Sequence, residues 1–451
     1  MLKRKVWQRL EDWLKQERKT ALALIGARQV GKSTIAREFG KENFEQLIEV
    51  NFLNDASASQ VFQGKNAQEI LTALAAYTRQ EIIPGHTLIL LDEIQECPAA
   101  RTAIKFLVEE GSCRYIETGS LLGVNFKEVA SYPVGFEEIV LMFPLDFEEF
   151  LWGFGMPDGV IEQLRHYFTE KIPVPESLHT TFISLFLSYM VVGGMPAVVQ
   201  SYVNKRDLIE VNRIQKSILD LYRLDIAKYA PDGEKNKIRN VFDAIPSELD
   251  GKNNRFKMSS LGPNARVSRY ENTFMWLEEA GVGLVCFNTA APVMPLEKNA
   301  KRSLFKLYFC DTGLLCAFFG QSVQFELIQG NAGIHSGAIL ENIFAQSLRA
   351  KEFPLFYFDS KKIGELDFVV QNGQAIDLFE IKSGNNYHTH RAMNNALACK
   401  DWKFRKKLIF CKGNVEEDGE ILYLPWYMIM FYTRPEPDSL IWDIDISALL
   451  E

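Results

Sequence analysis

Hydrophobic positions along the chain follow several distinct rhythms, and each predicts a different element. Near the N-terminus Trp7, Leu10, Trp13 and Leu14 recur at helical spacing between charges, which predicts an amphipathic helix and does not resemble a signal sequence. Ala21 to Ile25 and Leu88 to Leu91 are short unbroken apolar runs, as expected of strands covered on both faces. Together with the run CRYIETGS and the helical stretches between them, they predict a doubly wound parallel sheet that binds its ligand at the carboxyl ends of its strands. From about Trp152 to Pro231 the pattern is helical and rich in aromatics, broken at Gly193 to Pro196, where Gly-Gly ends one helix and Pro starts the next. Lys237 to Phe287 reads helix, loop, helix, strand. The stretch GELDFVVQNGQAIDLFEIKSG, Gly364 to Gly384, reads as two strands around an Asn372-Gly373 turn, yet acids and a lysine interrupt it.

Chemistry concentrates at the end of the first apolar run. Gly26, Ala27, Arg28, Gln29, Val30, Gly31, Lys32 and Ser33 meet G-x-x-x-x-G-K-[ST] between a strand and a helix that opens with Thr34. The two glycines let successive N–H groups turn into one anion-binding hollow at a helix N-terminus. Lys32 adds a point charge for the β- and γ-phosphates of ATP, and Ser33 is the expected Mg²⁺ ligand. A second acid for the metal belongs at the end of a neighbouring buried strand, where Asp92 and Glu93 follow Leu91. Asp92 would hold Mg²⁺ through water, and Glu93 would polarise the attacking water.

Composition narrows the field further. The chain has 451 residues, about three times a typical ~150-residue domain, so two to four domains are expected. A net charge of −8 excludes a protein that coats nucleic acid over its whole surface and leaves local basic patches. Two runs qualify, Lys298, Lys301, Arg302 and Lys306, and Lys400, Lys403, Arg405, Lys406 and Lys407; solvated surface charge is the alternative for both. Seven cysteines without Cys-x-x-Cys pairs, and histidines not spaced to join them, argue against zinc and disulfides and for a reducing, cytoplasmic setting. No apolar run approaches the ~20 residues that span a bilayer.

GARQVGKST, LLDEIQ and TGSLLG, followed by SYPVGFEEIVLMFPLDFEEFLW, resemble the bacterial AAA-type ATPases that carry a large C-terminal domain of unknown function. YMVVGGMPAVVQSYV, YRLDIAKY, AIPSELDGKNNRFK, WLEEAG and KLYFCDTGLL resemble later segments of the same family, so the likeness covers almost the whole chain. It implies that Gly193 to Pro196 is a hinge; the strand end Thr118-Gly119-Ser120 by itself offers a polar side chain, such as Ser120, that could reach the γ-phosphate as a sensor or else form a turn with a helix cap. Related ATPases often carry an arginine where this chain has Gly135-Phe136, so no arginine finger is transferred to that segment. The order of elements after Lys237 suits a winged helix, with Arg266 and Arg269 near the start of its second helix, where DNA would be met; a protein dock or a spacer is the other reading.

With Asn372-Gly373 as a two-residue loop, Asp367 faces Leu378 and Glu365 faces Glu380. Glu365, Asp367, Glu380 and Lys382 then project from one side, with Asp367 and Glu380 as diagonal neighbours. Carboxylates that close repel one another, and a divalent metal is one compensation, Mg²⁺ or Mn²⁺ for an all-oxygen set. The pattern resembles the PD-(D/E)xK nucleases, which implies metal ligands Asp367 and Glu380, catalysis by Lys382, and Glu341 on a preceding helix as a further ligand. The alternative is a set of salt bridges, Lys382 with Glu380 or Glu365, on a polar sheet face. The expectation is therefore a multidomain α/β protein. It comprises a P-loop ATPase domain with a doubly wound parallel sheet at 1–151, a helical lever at 152–235, a winged-helix-like domain at 236–325 and a restriction-endonuclease-like α/β domain at 326–451. The expected activity is ATP hydrolysis with Mg²⁺, coupled either to cutting of DNA or another nucleic acid or to a switch that binds nucleic acid, a protein partner or a second copy of the chain.

Overall fold

In the computed structural model, residues 2–64, 66–120, 135–250, 255–261, 266–330 and 335–435 are described. The amphipathic N-terminal segment forms α1 (Val6–Lys15), which buries Leu10 and Trp13. The apolar runs then become strands: β1 (Ala21–Gly26), α2 (Lys32–Asn43), β2 (Gln46–Asn51), α3 (Ala67–Thr78), β3 (Thr87–Asp92), α4 (Pro98–Glu110), β4 (Arg114–Ser120) and β5 (Glu137–Met142) follow in order. Their sheet runs β2-β3-β4-β1-β5 and all its pairings are parallel. Every residue of β1 and β3 is buried, as unbroken apolar strands between helical layers require.

Five helices come next: α5 (Phe147–Gly153), α6 (Asp158–Glu170), α7 (Glu176–Val192), α8 (Pro196–Lys205) and α9 (Leu208–Tyr229). The break expected between α7 and α8 is present, and it is a crowded junction. A Cβ on Gly194 would lie 2.0 Å from the Leu145 carbonyl oxygen, and one on Gly193 would lie 2.3 Å from Asp311 Oδ1. Asp311 in turn accepts hydrogen bonds from the N–H groups of Gly194 (2.6 Å) and Leu314 (2.9 Å). Glycine is required because three backbone segments meet where no side chain fits.

Beyond it, α10 (Lys235–Leu249) and α11 (Val267–Glu279) precede an antiparallel pair, β6 (Gly283–Thr289) and β7 (Ala300–Phe309), and then α12 (Thr312–Phe319) and α13 (Gln321–Ile328). The C-terminal portion contains α14 (Ser336–Ala350), β8 (Phe356–Ser360), β9 (Gly364–Leu366), β10 (Phe368–Asn372), β11 (Ala375–Ile381), α15 (Arg391–Leu397), β12 (Lys406–Cys411), β13 (Glu416–Asp418) and β14 (Ile421–Pro425). Two sheets are built from these strands, β7-β6-β8-β9 and β10-β11-β12-β14-β13.

The β10–β11 hairpin differs from expectation. Asn372 pairs with Ala375 and Phe368 with Phe379, so the loop is Gly373-Gln374. Tertiary contacts decide this: the Asn372 amide donates to the Tyr432 hydroxyl and the Thr433 carbonyl, both at 3.1 Å, which keeps Asn372 in the strand. Gly373, with φ +64°, then takes the first loop position, where a tight primed turn needs a positive φ. Neither hairpin face is a polar surface. Phe368, Val370 and Phe379 join one core, and Val369, Ile376 and Leu378 join another.

Candidate nucleotide site and C-terminal ion cluster

At the end of β1 a Cβ on Gly26 would meet the Met142 carbonyl oxygen at 2.2 Å, so glycine alone lets the loop start beside β5. Gln29 (φ +65°) and Gly31 (φ +95°) then bend the chain through the left-handed region. No side chain caps α2 at Gly31, which leaves its first N–H groups to an anion. Val30 and Ala27 are buried beneath the loop, whereas Gln29 and Thr34 are exposed. Lys32, 8% exposed, folds back so that Nζ donates to the carbonyls of Gly26 (3.0 Å) and Ala27 (2.9 Å). Burial pushes its ammonium down to about 8, against the pull of Glu93 and Asp92.

The strand-end acids stand opposite. Asn51, Asp92 and Thr118 are in register at the carboxyl ends of β2, β3 and β4. Ser33 Oγ donates to Asp92 Oδ1 at 2.6 Å, Asn51 Nδ2 to Asp92 Oδ2 at 2.7 Å, and the Thr118 hydroxyl also to Oδ1. Glu93 turns out of the strand at φ +57°, with Oε2 held by Gln95 Nε2 at 2.5 Å. The side chain of Ser120 lies outside the described residues.

Sequence reasoning missed several residues at this site. Asn51 carries a signal, a polar side chain at the end of a strand beside Asp92, whereas Thr118 lies in the strand end already expected to carry a polar group of the site and bonds Asp92. Arg4 and Asp225 carry none, because only folding brings them near. Arg4 donates to the carbonyls of Val30 (2.9 Å) and Phe143 (2.7 Å), and Arg28 of the loop is paired with Asp225 of α9. Pro196, the first residue of α8, lies 3.6 Å from where a Cβ on Gly31 would be.

In the C-terminal portion the hydrogen-bonded ladder of the hairpin ends at Phe368–Phe379, so the expected Asp367–Leu378 pair is not formed, and Asp367 and Glu380 are the residues that follow the last pair. Asp367 Oδ2 accepts the N–H of Ile381 at 2.6 Å. Burial, then the neighbouring Glu341 carboxylate, raises the Asp367 carboxyl well above its ordinary range. Glu380 is paired with Lys382 at 2.5 Å, one of the salt bridges expected if no metal is present. Glu365 is not available to Lys382. It pairs at 2.6 Å with Lys306, whose ammonium also lies 2.9 Å from Glu341 Oε2. Lys306 therefore leaves the surface patch in which the sequence placed it, for its side chain is fully buried in β7. Tyr308, two residues on, donates to the same Glu341 oxygen at 2.8 Å. Among the described residues, no three His, Cys, Asp or Glu side chains are placed to hold a metal ion.

The parallel sheet, glycine loop and strand-end acids are the parts of a P-loop nucleotide site, and the family match over these residues supports an AAA-type ATPase domain. Residues 18–151 match the family described as an AAA domain. Residues 183–324 and 336–428 match two families described as domains of unknown function, DUF8612 and DUF4143, and the first match runs across the boundary expected at 235. No curated protein matches the chain. Among solved structures, the chain is similar to a Walker-type ATPase of Pyrococcus abyssi, at 15% identity over 71% of this chain and 96% of that one with a TM-score of 0.40. It is also similar to the Aeropyrum pernix ORC1 protein in complex with DNA (14%, 71% and 92%, TM-score 0.23) and to Cdc6p from Pyrobaculum aerophilum (10%, 72% and 94%, TM-score 0.24). Among the described residues no helix is long and apolar enough to cross a membrane.

Proposed function

We propose that the chain is an ATP-hydrolysing switch in which the nucleotide state of the P-loop sets the arrangement of the C-terminal half. One observation carries this reading: the loop and the C-terminal half meet at the same junction. Gly31 packs on Pro196, and the preceding Gly193-Gly194 is wedged between Leu145 and the Asp311–Gly313 turn that opens α12.

The residues present fit a Mg²⁺-nucleotide, since a hydroxyl and a carboxylate 2.6 Å apart face an uncapped helix N-terminus. Ser33 and Asp92 would hold the ion, which when bound neutralises charge on the phosphates. Lys32 would exchange two neutral carbonyl acceptors for anionic phosphate oxygens, so that both partners of its hydrogen bonds carry charge. Gln95 fixes one oxygen of Glu93, and the other takes the proton of the attacking water. Hydrogen exchange of residues 311–319 should change when ATP is added to the wild type and stay unchanged in Lys32→Ala. An unresponsive wild type would sink the switch.

Nucleic acid is the partner we favour. A cleft of about 770 Å³ between α6 and the C-terminal sheet is lined by Arg165, Lys171, Arg405, Lys406 and Lys407. Lys171 and Lys407 are paired with Glu417 and Glu420, whereas Lys406 lies about 6 Å from the rings of Phe168 and Tyr432. Cations among aromatic rings suit a single strand. The exposed Arg266 and Arg269, at the start of α11 in a helix-helix-hairpin order, offer a second contact. Unimpaired oligonucleotide binding by Lys406→Glu would remove the cleft from this account.

The second reading, a nuclease, is favoured by the nearness of Asp367 to Glu380, which is paired with Lys382. Plasmid nicking with Mg²⁺ or Mn²⁺ that Asp367→Ala abolishes would support it.

A further inference from the structure

The second reading requires a divalent ion among the C-terminal carboxylates, and the residues present do not fit one, because a cation of the chain is already there. We propose that Lys306 is the resident cation of this centre and that it keeps the C-terminal domain from acting as a metal nuclease. The inference rests on the nuclease-like reading of the carboxylates and goes beyond it.

Burying an ammonium costs several kcal/mol unless carboxylates compensate it. The Lys306 side chain has no exposure at all, and its compensation comes from two separate elements, Glu341 on α14 and Glu365 on β9. Burial alone would lower its ammonium, yet these two acids and Asp367 hold it above the usual lysine range. Tyr308, on the same side of β7, adds a second donor to Glu341 Oε2. Mg²⁺ needs carboxylate oxygens at about 2.0–2.1 Å in near-octahedral array. An ammonium 2.9 Å from the expected ligand Glu341, and anchored there by Glu365 at 2.6 Å, competes with a metal for that carboxylate. A metal ligated by Glu341 would also lie a few ångströms from a like charge with little water to screen it.

One carboxylate oxygen of the centre is left without a partner. Glu380 Oε2 is buried and has no hydrogen-bond partner, while Oε1 is held by Lys382. The centre is therefore closed at Glu341 and Glu365 and unsatisfied at Glu380, as expected if the chain's own ammonium replaces a larger cation set. β7 is also tied to the segment after α10, since Phe256 N–H donates to the Phe305 carbonyl at 3.1 Å and their rings stack. The position of Lys306 thus depends on the α10–α11 unit.

Mn²⁺ binding to the full-length protein without nucleotide, read by electron paramagnetic resonance, tests the proposal. Wild type and Asp367→Asn should take up the same amount, because the centre contributes no site. Lys306→Gln should bind one further Mn²⁺ per chain, lost again in the double variant with Asp367→Asn. A site in wild type that Asp367→Asn removes overturns the proposal, and so does folded Lys306→Gln that gains nothing. Should Lys306→Gln fail to fold, the comparison of wild type with Asp367→Asn decides alone. Nicking assays on the same variants separate this idea from its parent: Mn²⁺ gained without any nicking leaves Lys306 as the resident cation and discards the nuclease reading.

Discussion

Two buried lysines, Lys32 and Lys306, face acids in two parts of the molecule, and they are held in opposite ways. Lys32 donates only to neutral carbonyls, and burial holds its ammonium down at about 8. Lys306 is clamped between two carboxylates that hold its ammonium above the usual lysine range. The first is a charge stored without an ionic partner, ready for a phosphate. The second is a charge already spent on internal partners. What separates a ligand site from a closed ion cluster here is whether the cation keeps a carboxylate of its own, not how deeply it is buried.

The comparison is broken most severely at the acids. Glu93→Gln keeps the shape of the turn but removes the group that takes the proton from water. ATP turnover should fall about 10²–10⁴-fold, with ATP affinity retained; turnover near the wild-type rate would reduce Glu93 to a turn residue. The lysines come next. Lys306→Met leaves the partly buried Glu341 and Glu365 without their cation and should cost about 3–5 kcal/mol in urea unfolding. Lys32→Met breaks only two hydrogen bonds to neutral carbonyls and strands no carboxylate partner, and its loss should stay within about 1–3 kcal/mol. Equal losses would erase the distinction between the two sites.

Much of this contrast was legible in the sequence, for a definite reason. A P-loop is a local device: Gly26, Gly31, Lys32 and Ser33 lie within eight positions, and the unbroken Leu88–Leu91 run marks the strand that carries Asp92. The C-terminal centre is not local. Lys306 reads as one cation in a basic run with Lys298, Lys301 and Arg302, and nothing nearby announces that Glu341 and Glu365 will enclose it. The hairpin shows the same limit on a smaller scale. Asn-Gly is a strong turn signal, but Asn372 is bonded to Tyr432 and Thr433, and that contact from sixty residues away moves the loop by one position. Alternation still puts Asp367 and Glu380 on one side, because the pair shifts together and the parity of the strands is unchanged. Sequence pattern thus fixed the side, and tertiary contact fixed the partner.

The link between the two regions is tested at the junction. In Gly194→Ala the new methyl must displace the Leu145 carbonyl from 2.0 Å. Backbone has little room to give, so a loss of about 1–3 kcal/mol is expected, together with a weaker response of residues 311–319 to ATP. A stable variant with an intact response would show that the close approach of these segments transmits nothing.

The smallest effect is the most specific to Lys32. A lysine whose folded-state value is about 8 is charged below that pH and neutral above it, and phosphates need the charged form. ATP affinity should therefore be flat up to about pH 8 and then fall about tenfold per pH unit, because binding must return the missing proton. Stability of the unliganded protein moves the other way. Between about 8 and the ordinary value of 10.5 the unfolded chain holds the proton that folded Lys32 has released, so this group adds stability as pH rises. Lys306, raised instead of lowered, makes no such contribution in that window. Isothermal titration with ATP at pH 7, 8 and 9 checks the first slope, with Lys32→Arg as a control that stays charged throughout. Identical profiles for lysine and arginine would mean that Lys32 keeps its proton in the empty site, and the stored charge would then need another explanation than burial among carbonyls.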